Sequence, residues 1–246
     1  MNALLLAAGR GTRLQPLTDY IPKCLVPIHG VPLIQYWLEA IQGTVINNVY
    51  VNKHYLSGMV GEYLDSVSPD YILKHFYEPK LLGTGGTLKT LAKNIGSASC
   101  LIAHADNLTK FDLDQFIEAH KNRPKNCLIT MMLFETDQPK LCGIVKRDVS
   151  GVVSEFYEKV QNPPGNLANA AVYIFEPEVI RFVREIQAEV IDISTQVLPF
   201  FLGKINTFVN DRYHRDIGNM QSYIAANHEF TYKEDFIIFN KKENCK

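Results

Sequence analysis

Residues 2–23 read NALLLAAGRGTRLQPLTDYIPK. The apolar run at 3–7 opens the chain as a buried parallel strand would. It breaks at once into a loop carrying Gly9, Gly11, Arg10 and Arg13, and ends on Lys23 after Pro22. At the carboxyl end of a first parallel strand, such a loop can turn backbone N–H groups onto phosphate oxygens. Glycine permits the close approach, and arginine adds a fixed charge. Two familiar phosphate loops do not fit. The dinucleotide fingerprint G-x-G-x-x-G fails because position 14 is Leu and no acidic residue closes the second strand. The P-loop pattern fails at GTGGTLKT, residues 83–90, where Leu88 stands in place of the second glycine. By itself, GRG fits a plain turn as well as a phosphate cradle.

Outward from this stretch, strand-like and helix-like segments alternate. Strands are expected at 48–52, 71–76, 100–103 and 127–134, and helices at 32–41, 56–67, 86–94 and 113–121. In the second helix, Met59, Tyr63 and Leu64 fall on one face. This rhythm predicts an α/β fold, a Rossmann-like, doubly wound, mainly parallel sheet. After Phe134 the rhythm changes. Strands at 143–147, 152–157 and 171–175, with a hairpin turn at Ser150-Gly151, predict an antiparallel extension on the sheet edge. Helices at 177–187 and 195–202, a short strand at 205–209 and a helix at 220–229 complete the pattern. No linker or repeat interrupts it. One domain is expected over 1–230, with its halves meeting near 135/136, followed by a tail at 231–246.

Composition narrows the class of partner. Twenty-five basic and 26 acidic residues give a net charge of −1, so no basic excess draws the chain to nucleic acid or an anionic membrane. No apolar run approaches the ~18–20 residues of a membrane span, and no signal-peptide pattern precedes the first strand. The five scattered cysteines form no CxxC pair and read as reduced thiols of a cytoplasmic protein. The seven histidines suggest no zinc site; His75, His104 and His214 read as isolated strand or loop residues.

The longer segment AAGRGTRLQPLTDYIPKCLVPIHGVPLIQYWL, residues 7–38, resembles the signature of the sugar-1-phosphate nucleotidylyltransferases. The likeness continues, in order, through LGTGG (82–86), AD (105–106), CGIV (142–145), EK (158–159), PPGNLANAAVYIF (163–175) and RDIG (215–218). It implies the nucleotide-diphospho-sugar transferase fold, with 1–135 as nucleotide-binding half and 136–230 as sugar-phosphate-binding half. It also implies the reaction. A sugar 1-phosphate oxygen attacks the α-phosphorus of a nucleoside triphosphate, and pyrophosphate leaves.

The resemblance assigns roles by position. Ala8, Gly9, Gly11 and Thr12 would cradle the triphosphate, with Arg13 on the leaving pyrophosphate and Lys23 on the α-phosphate. Asp106 and Asp216 would hold Mg²⁺, an ion that takes one or two carboxylates plus substrate phosphates. Gly83, Thr84 and Gly85 would wrap base and ribose, with Glu78 offering a carboxylate to guanine. Lys159 would bind the phosphate of the sugar 1-phosphate and Glu158 a sugar hydroxyl, while Gly143 and Asn169 would contact the sugar. For each a blander reading exists: a helix cap or turn for the aspartates and Asn169, a bulge for Gly143, solvated surface for Glu158 and Lys159. Departures from the family pattern are His104, Ala105, Ala171, His214 and Asn219, none of which removes a charged group. The loop pattern is nearest to mannose- and heptose-1-phosphate guanylyltransferases. Thymidylyl-, uridylyl- and cytidylyltransferases share most motifs, and an inactive nucleotide-sugar-binding subunit or a homo-oligomer stays open.

Overall fold

Alternation within one short strand sets the layers. In the computed structural model, which describes residues 1–230, β1 (Asn2–Leu6) sends Ala3 and Leu5 to one face and Leu4 to the other. The tail expected at 231–246 lies outside the described residues. Along the chain follow β2 (Pro27–Ile28), β3 (Val31–Pro32), α1 (Leu33–Ile41), β4 (Asn48–Lys53), α2 (Ser57–Ser66), β5 (Ile72–Tyr77) and α3 (Gly83–Ile95). Then come β6 (Cys100–His104), β7 (Asn107–Lys110), α4 (Leu113–Lys121), β8 (Ile129–Glu135), β9 (Gly143–Arg147), β10 (Val153–Glu158) and β11 (Leu167–Phe175). The last elements are α5 (Pro177–Glu185), α6 (Ile193–Gln196), β12 (Ile205–Val209), β13 (Tyr213–Asp216) and α7 (Met220–Glu229).

Strands β5, β4, β1 and β6 lie side by side and parallel, as the βα alternation predicts. The chain winds outward from β1 to β5, then crosses back to place β6 on the other side of β1. That reversal opens a crevice at the carboxyl ends of β1 and β6, where ligands bind in such sheets. One face is covered by residues of α1, α2 and α4, including Trp37, Leu64 and Phe116, and the other by α3 and α5, including Leu88, Leu91 and Ile180. Each large aliphatic side chain buried there contributes roughly 1.5–3 kcal/mol.

The antiparallel part extends the β6 edge of the parallel strands, as expected, and it takes in β8 as well. β11 is inserted between β6 and β8, antiparallel to both, and β12 extends the sheet beyond β8. Only the β9–β10 hairpin hangs from the side, touching β11 at Ala168 opposite Ile144. β11 begins at Leu167, well before the expected 171, and its register shifts between Asn169 and Tyr173. Asn and Ala are weak strand formers, so its first half carries little strand signal. Two helical expectations also change. Met59 of α2 is 40% exposed while Val60 and Leu64 form the buried stripe. The helix expected at 195–202 is α6 followed by a separate 3-10 turn, Leu198–Phe201, since Pro199 cannot continue the hydrogen-bond ladder.

A small apolar knot supports the crevice. Leu14, Val26, Leu33, Leu108 and Ile217 pack with Ala226 of α7 and with Phe230. Leu14 follows Arg13, Leu108 lies two residues past Asp106, and Ile217 follows Asp216, so one cluster anchors three candidate site segments.

Candidate active site

The short antiparallel ribbon of β7 and β13 brings the two aspartates together. Asn107 pairs with Asp216 across it, and the Ile217 N–H donates to the Asp106 carbonyl at 3.3 Å. Trp37 Nε1–H donates to the Asn107 carbonyl at 2.9 Å, and Asn107 Nδ2 donates to the Ala170 carbonyl at 3.1 Å, which fixes β7 against the sheet. The carboxylates converge on one ammonium. Lys23 Nζ donates to Asp106 Oδ2 in a short contact and lies 3.2 Å from Asp216 Oδ1. Lys23 is buried, and burial disfavours its charge, yet the two carboxylates outweigh this and raise its pKa. Burial likewise opposes ionisation of Asp106, and Lys23, then His104, overcome it and hold the carboxyl below its ordinary value.

The loop after β1 is shaped by the same lysine. Gly11 has φ +64°, and a Cβ there would lie 2.9 Å from Thr18 Cγ2 and 3.0 Å from Lys23 Cβ. Thr18 Oγ1–H donates to the Gly11 carbonyl at 2.8 Å and pins the loop. Ala8 is buried, while Gly9, Thr12 and Arg13 face solvent at the crevice mouth. Gly9, Lys23, Cys24 and Asp106 line one cavity. Arg13 Nη2 reaches Gly218, where a Cβ would lie 3.3 Å from it and 2.8 Å from Asp216 Oδ2. A side chain at 218 would have to displace the ends of these two side chains.

In the β9–β10 hairpin, Gly143 sits opposite Glu158. A Cβ at 143 would be 2.6 Å from Glu158 Oε2 and 2.7 Å from Phe156 Cζ, so glycine lets the carboxylate lie across β9. Lys159, at φ +49°, closes the hairpin through its N–H to the Cys142 carbonyl, and its exposed Nζ lies 3.4 Å from Glu158 Oε1. Burial raises the Cys142 thiol pKa; Asp216 and Glu158 push it further in that direction. This half-buried thiol therefore feels both the ribbon and the hairpin. Asn169 accepts from the Ala171 N–H at 2.9 Å and donates to the Tyr173 hydroxyl at 2.7 Å, which staples the shift in β11. Ala171 holds φ +53° there. Ala171→Gly is expected to stabilise by roughly 0.5–1 kcal/mol, since a left-handed Cβ costs more than the added chain entropy. Thermal melts should show a rise of roughly 1–4 °C.

The glycines at 83–86 do not form a free loop. α3 starts at Gly83, three residues before the expected helix, because the N–H groups of Gly85 and Gly86 both find the Ile191 carbonyl. A Cβ at Gly83, Gly85 or Gly86 would meet the 189–191 segment at 2.5, 2.5 or 2.8 Å. Thr84 Oγ1 accepts from the Ile193 N–H at 2.8 Å. Close packing against the 189–191 segment thus requires glycine at these positions whatever ligand they meet. Gly83→Ala, at φ +73°, should cost roughly 2–4 kcal/mol. A Tm unchanged by it, with a weakened nucleotide KM, would return the glycine to the ligand.

His104 and His214 are not isolated. His214 Nδ1 lies 2.8 Å from Thr109 Oγ1, its ring is 4.4 Å from that of Phe134, and burial, with His104 adding to it, pushes its pKa down to about 3. A neutral imidazole therefore occupies the aromatic position of the motif. Asn219 caps α7 by accepting from the Ser222 N–H at 2.8 Å. Sequence reading missed Asn52, Thr87 and Thr18, buried polar residues whose partners are distant in sequence or across a turn.

The oxygen donor set fits a hard divalent cation. Two carboxylates converge at the crevice, one of them half exposed and kept clear by Gly218. Four free cysteines, Cys24, Cys100, Cys127 and Cys142, occur among the described residues, and no described helix is long and apolar enough to cross a membrane.

The glycine-bearing loop after β1 and the paired aspartates lie together at the switch point of a mainly parallel sheet, the arrangement of an α/β protein with a ligand crevice. Residues 2–233 match the family model described as nucleotidyl transferase, and the chain belongs to that family. It is 29% identical over 231 residues to a mannose-1-phosphate guanylyltransferase of Mycobacterium tuberculosis, covering 92% of this chain and 63% of that one. It is 31% identical over 234 residues to the mannose-1-phosphate guanylyltransferase catalytic subunit beta of Drosophila pseudoobscura pseudoobscura, covering 92% and 61%. The chain thus spans somewhat under two thirds of the length of these relatives. Its fold is shared with UDP-glucose pyrophosphorylase from Acinetobacter baumanii (TM-score 0.80, 16% identity, 98% of each chain). It is also shared with HddC from Yersinia pseudotuberculosis complexed with GMP-PN (TM-score 0.77, 24% identity, 94% of this chain and 99% of that one).

Proposed function

We propose that this chain transfers a nucleotidyl group from a nucleoside triphosphate to a sugar 1-phosphate, with GTP and mannose or heptose 1-phosphate as the substrates. The observation that carries the reading is the convergence of Asp106 and Asp216 on Lys23 beside the loop after β1. A non-bridging oxygen of the sugar phosphate forms a bond to the α-phosphorus, the bond from that phosphorus to the bridging oxygen breaks, and pyrophosphate leaves with the electron pair. Both substrates are polyanions, so the site must supply positive charge. Lys23 offers its ammonium to the α-phosphate and Arg13 its guanidinium to the leaving pyrophosphate, while the N–H groups of residues 8–12 receive the remaining phosphates. Lys159 receives the sugar phosphate and Glu158 a sugar hydroxyl. Asp106 and Asp216 would hold Mg²⁺, which neutralises phosphate charge when bound.

The complete charged set supports an active enzyme over a regulatory subunit that has lost catalysis. The guanylyltransferase names of the relatives and the buried carboxylate of Glu78 support guanine, which presents two adjacent N–H donors. A nucleotide screen tests this. With Mg²⁺ and mannose or heptose 1-phosphate, GTP is expected to give the highest kcat/KM for pyrophosphate release. A clear preference for dTTP, UTP or CTP defeats the base assignment and leaves the reaction class standing.

A further inference from the structure

Glu78 is 2% exposed, and its carboxylate has one donor among the described residues, the Thr87 hydroxyl, 2.7 Å from Oε1. No ion pair with another described residue neutralises it. Oε2 has no hydrogen bond to another described residue. Glu78 lines a cavity of about 280 Å³ together with Tyr77, Leu82 and Thr90 and with the charged Lys80 and Glu189. A buried carboxylate so sparsely partnered is costly unless a ligand supplies donors.

The orientation of this carboxylate traces back to a backbone group. The Ala7 N–H can only donate, and it lies 2.7 Å from Asn52 Oδ1. This settles which way the amide faces, so Asn52 Nδ2 donates to Thr87 Oγ1 at 3.2 Å. Thr87 then has one proton to give. Glu78 Oε1 at 2.7 Å is nearer, and charged, compared with the Gly83 carbonyl at 3.0 Å. Asn52 and Thr87 are 3% and 1% exposed, so water does not compete for these bonds. Every donor in the chain Ala7–Asn52–Thr87–Glu78 points the same way, and Ala7 directly precedes the phosphate loop.

We propose that Asn52 and Thr87 are positioning residues for base selection. Their relay fixes Glu78 as an acceptor for a base edge carrying two adjacent N–H donors, as guanine does. This rests on the nucleotidyl-transfer reading of the same site. A uracil or thymine edge would set carbonyl oxygens against the fixed carboxylate, a mismatch that a polar site rejects strongly.

The test compares kcat/KM for GTP with kcat/KM for UTP at saturating sugar 1-phosphate. Equilibrium binding of each nucleotide without sugar is measured alongside. Thr87→Val keeps the shape and removes the hydroxyl; the GTP preference should fall about tenfold or more, in binding as in kcat/KM. Thr87→Ser should restore it, which a purely packing role for the threonine would not require. Asn52→Asp draws the Thr87 proton toward itself and should lower the preference too; it carries the test if the valine variant does not fold. Preference within twofold of wild type in folded variants overturns the relay, as does a wild type indifferent to the base. A wild type that turns over but favours UTP also overturns the proposal while leaving the nucleotidyl-transfer reading standing; absence of turnover with every nucleotide defeats that reading instead.

Discussion

Asp106→Asn and Asp216→Asn should each lower turnover about 10²–10³-fold, the usual cost of removing one electrostatic group aimed at a reacting phosphate. Both carboxylates meet Lys23, and Asn keeps the shape while removing the charge that would hold a divalent cation in the proposed reaction. Steady-state pyrophosphate release, with Mg²⁺ and both substrates saturating, measures the loss. Near-normal Mg²⁺-dependent turnover in either variant removes that residue from the metal site. The stability effect has a defined pH window. Asp106 has a lowered folded pKa, so its charge stabilises the fold above the unfolded value of about 3.9 and the contribution fades as pH falls below it. Wild type and Asp106→Asn should differ in Tm near neutral pH and converge in acid.

Lys23→Met should be as damaging to turnover, by about 10²–10³-fold, and should also affect the fold. The ammonium is the common partner of both carboxylates, and its removal leaves Asp106 and Asp216 facing each other with that cation gone. Breaking a sealed ion pair costs about 3–5 kcal/mol; roughly 1–3 is expected here, because the Asp216 side chain is 56% exposed and can turn to water. Added Mg²⁺ should recover part of the lost Tm by taking the place of the missing charge. A melt insensitive to both the substitution and the metal would remove Lys23 from the electrostatic centre.

Most of the sheet is legible in the sequence because its strands are short apolar runs between amphipathic helices. The parallel set β5-β4-β1-β6 matches the doubly wound sheet expected from that rhythm, while the order itself is set by the crossovers. β11 is legible only in part, since its first half owes its place to the Asn169 staple and to a left-handed Ala171, features of tertiary pairing and not of propensity. The β7–β13 ribbon carries no hydrophobic alternation, so the element that brings Asp106 to Asp216 is hidden from periodicity. The motif positions of Lys23, Asp106 and Asp216 are readable, and the structure joins them. The close packing of the glycines at 83–86 against the 189–191 segment is hidden from the sequence, because the two stretches lie far apart in the chain. Thr87 and Asn52 look like ordinary polar residues until their burial and mutual distance are seen.

The most direct measurement is product analysis of one reaction: the purified chain, GTP, mannose 1-phosphate or heptose 1-phosphate, and Mg²⁺, followed by mass spectrometry and pyrophosphate assay. The account predicts GDP-sugar and pyrophosphate in equal amounts, with turnover that depends on Mg²⁺ and is severely reduced in Asp106→Asn. Release of GMP or GDP without sugar transfer, or no product from any nucleoside triphosphate with any sugar 1-phosphate, would contradict it.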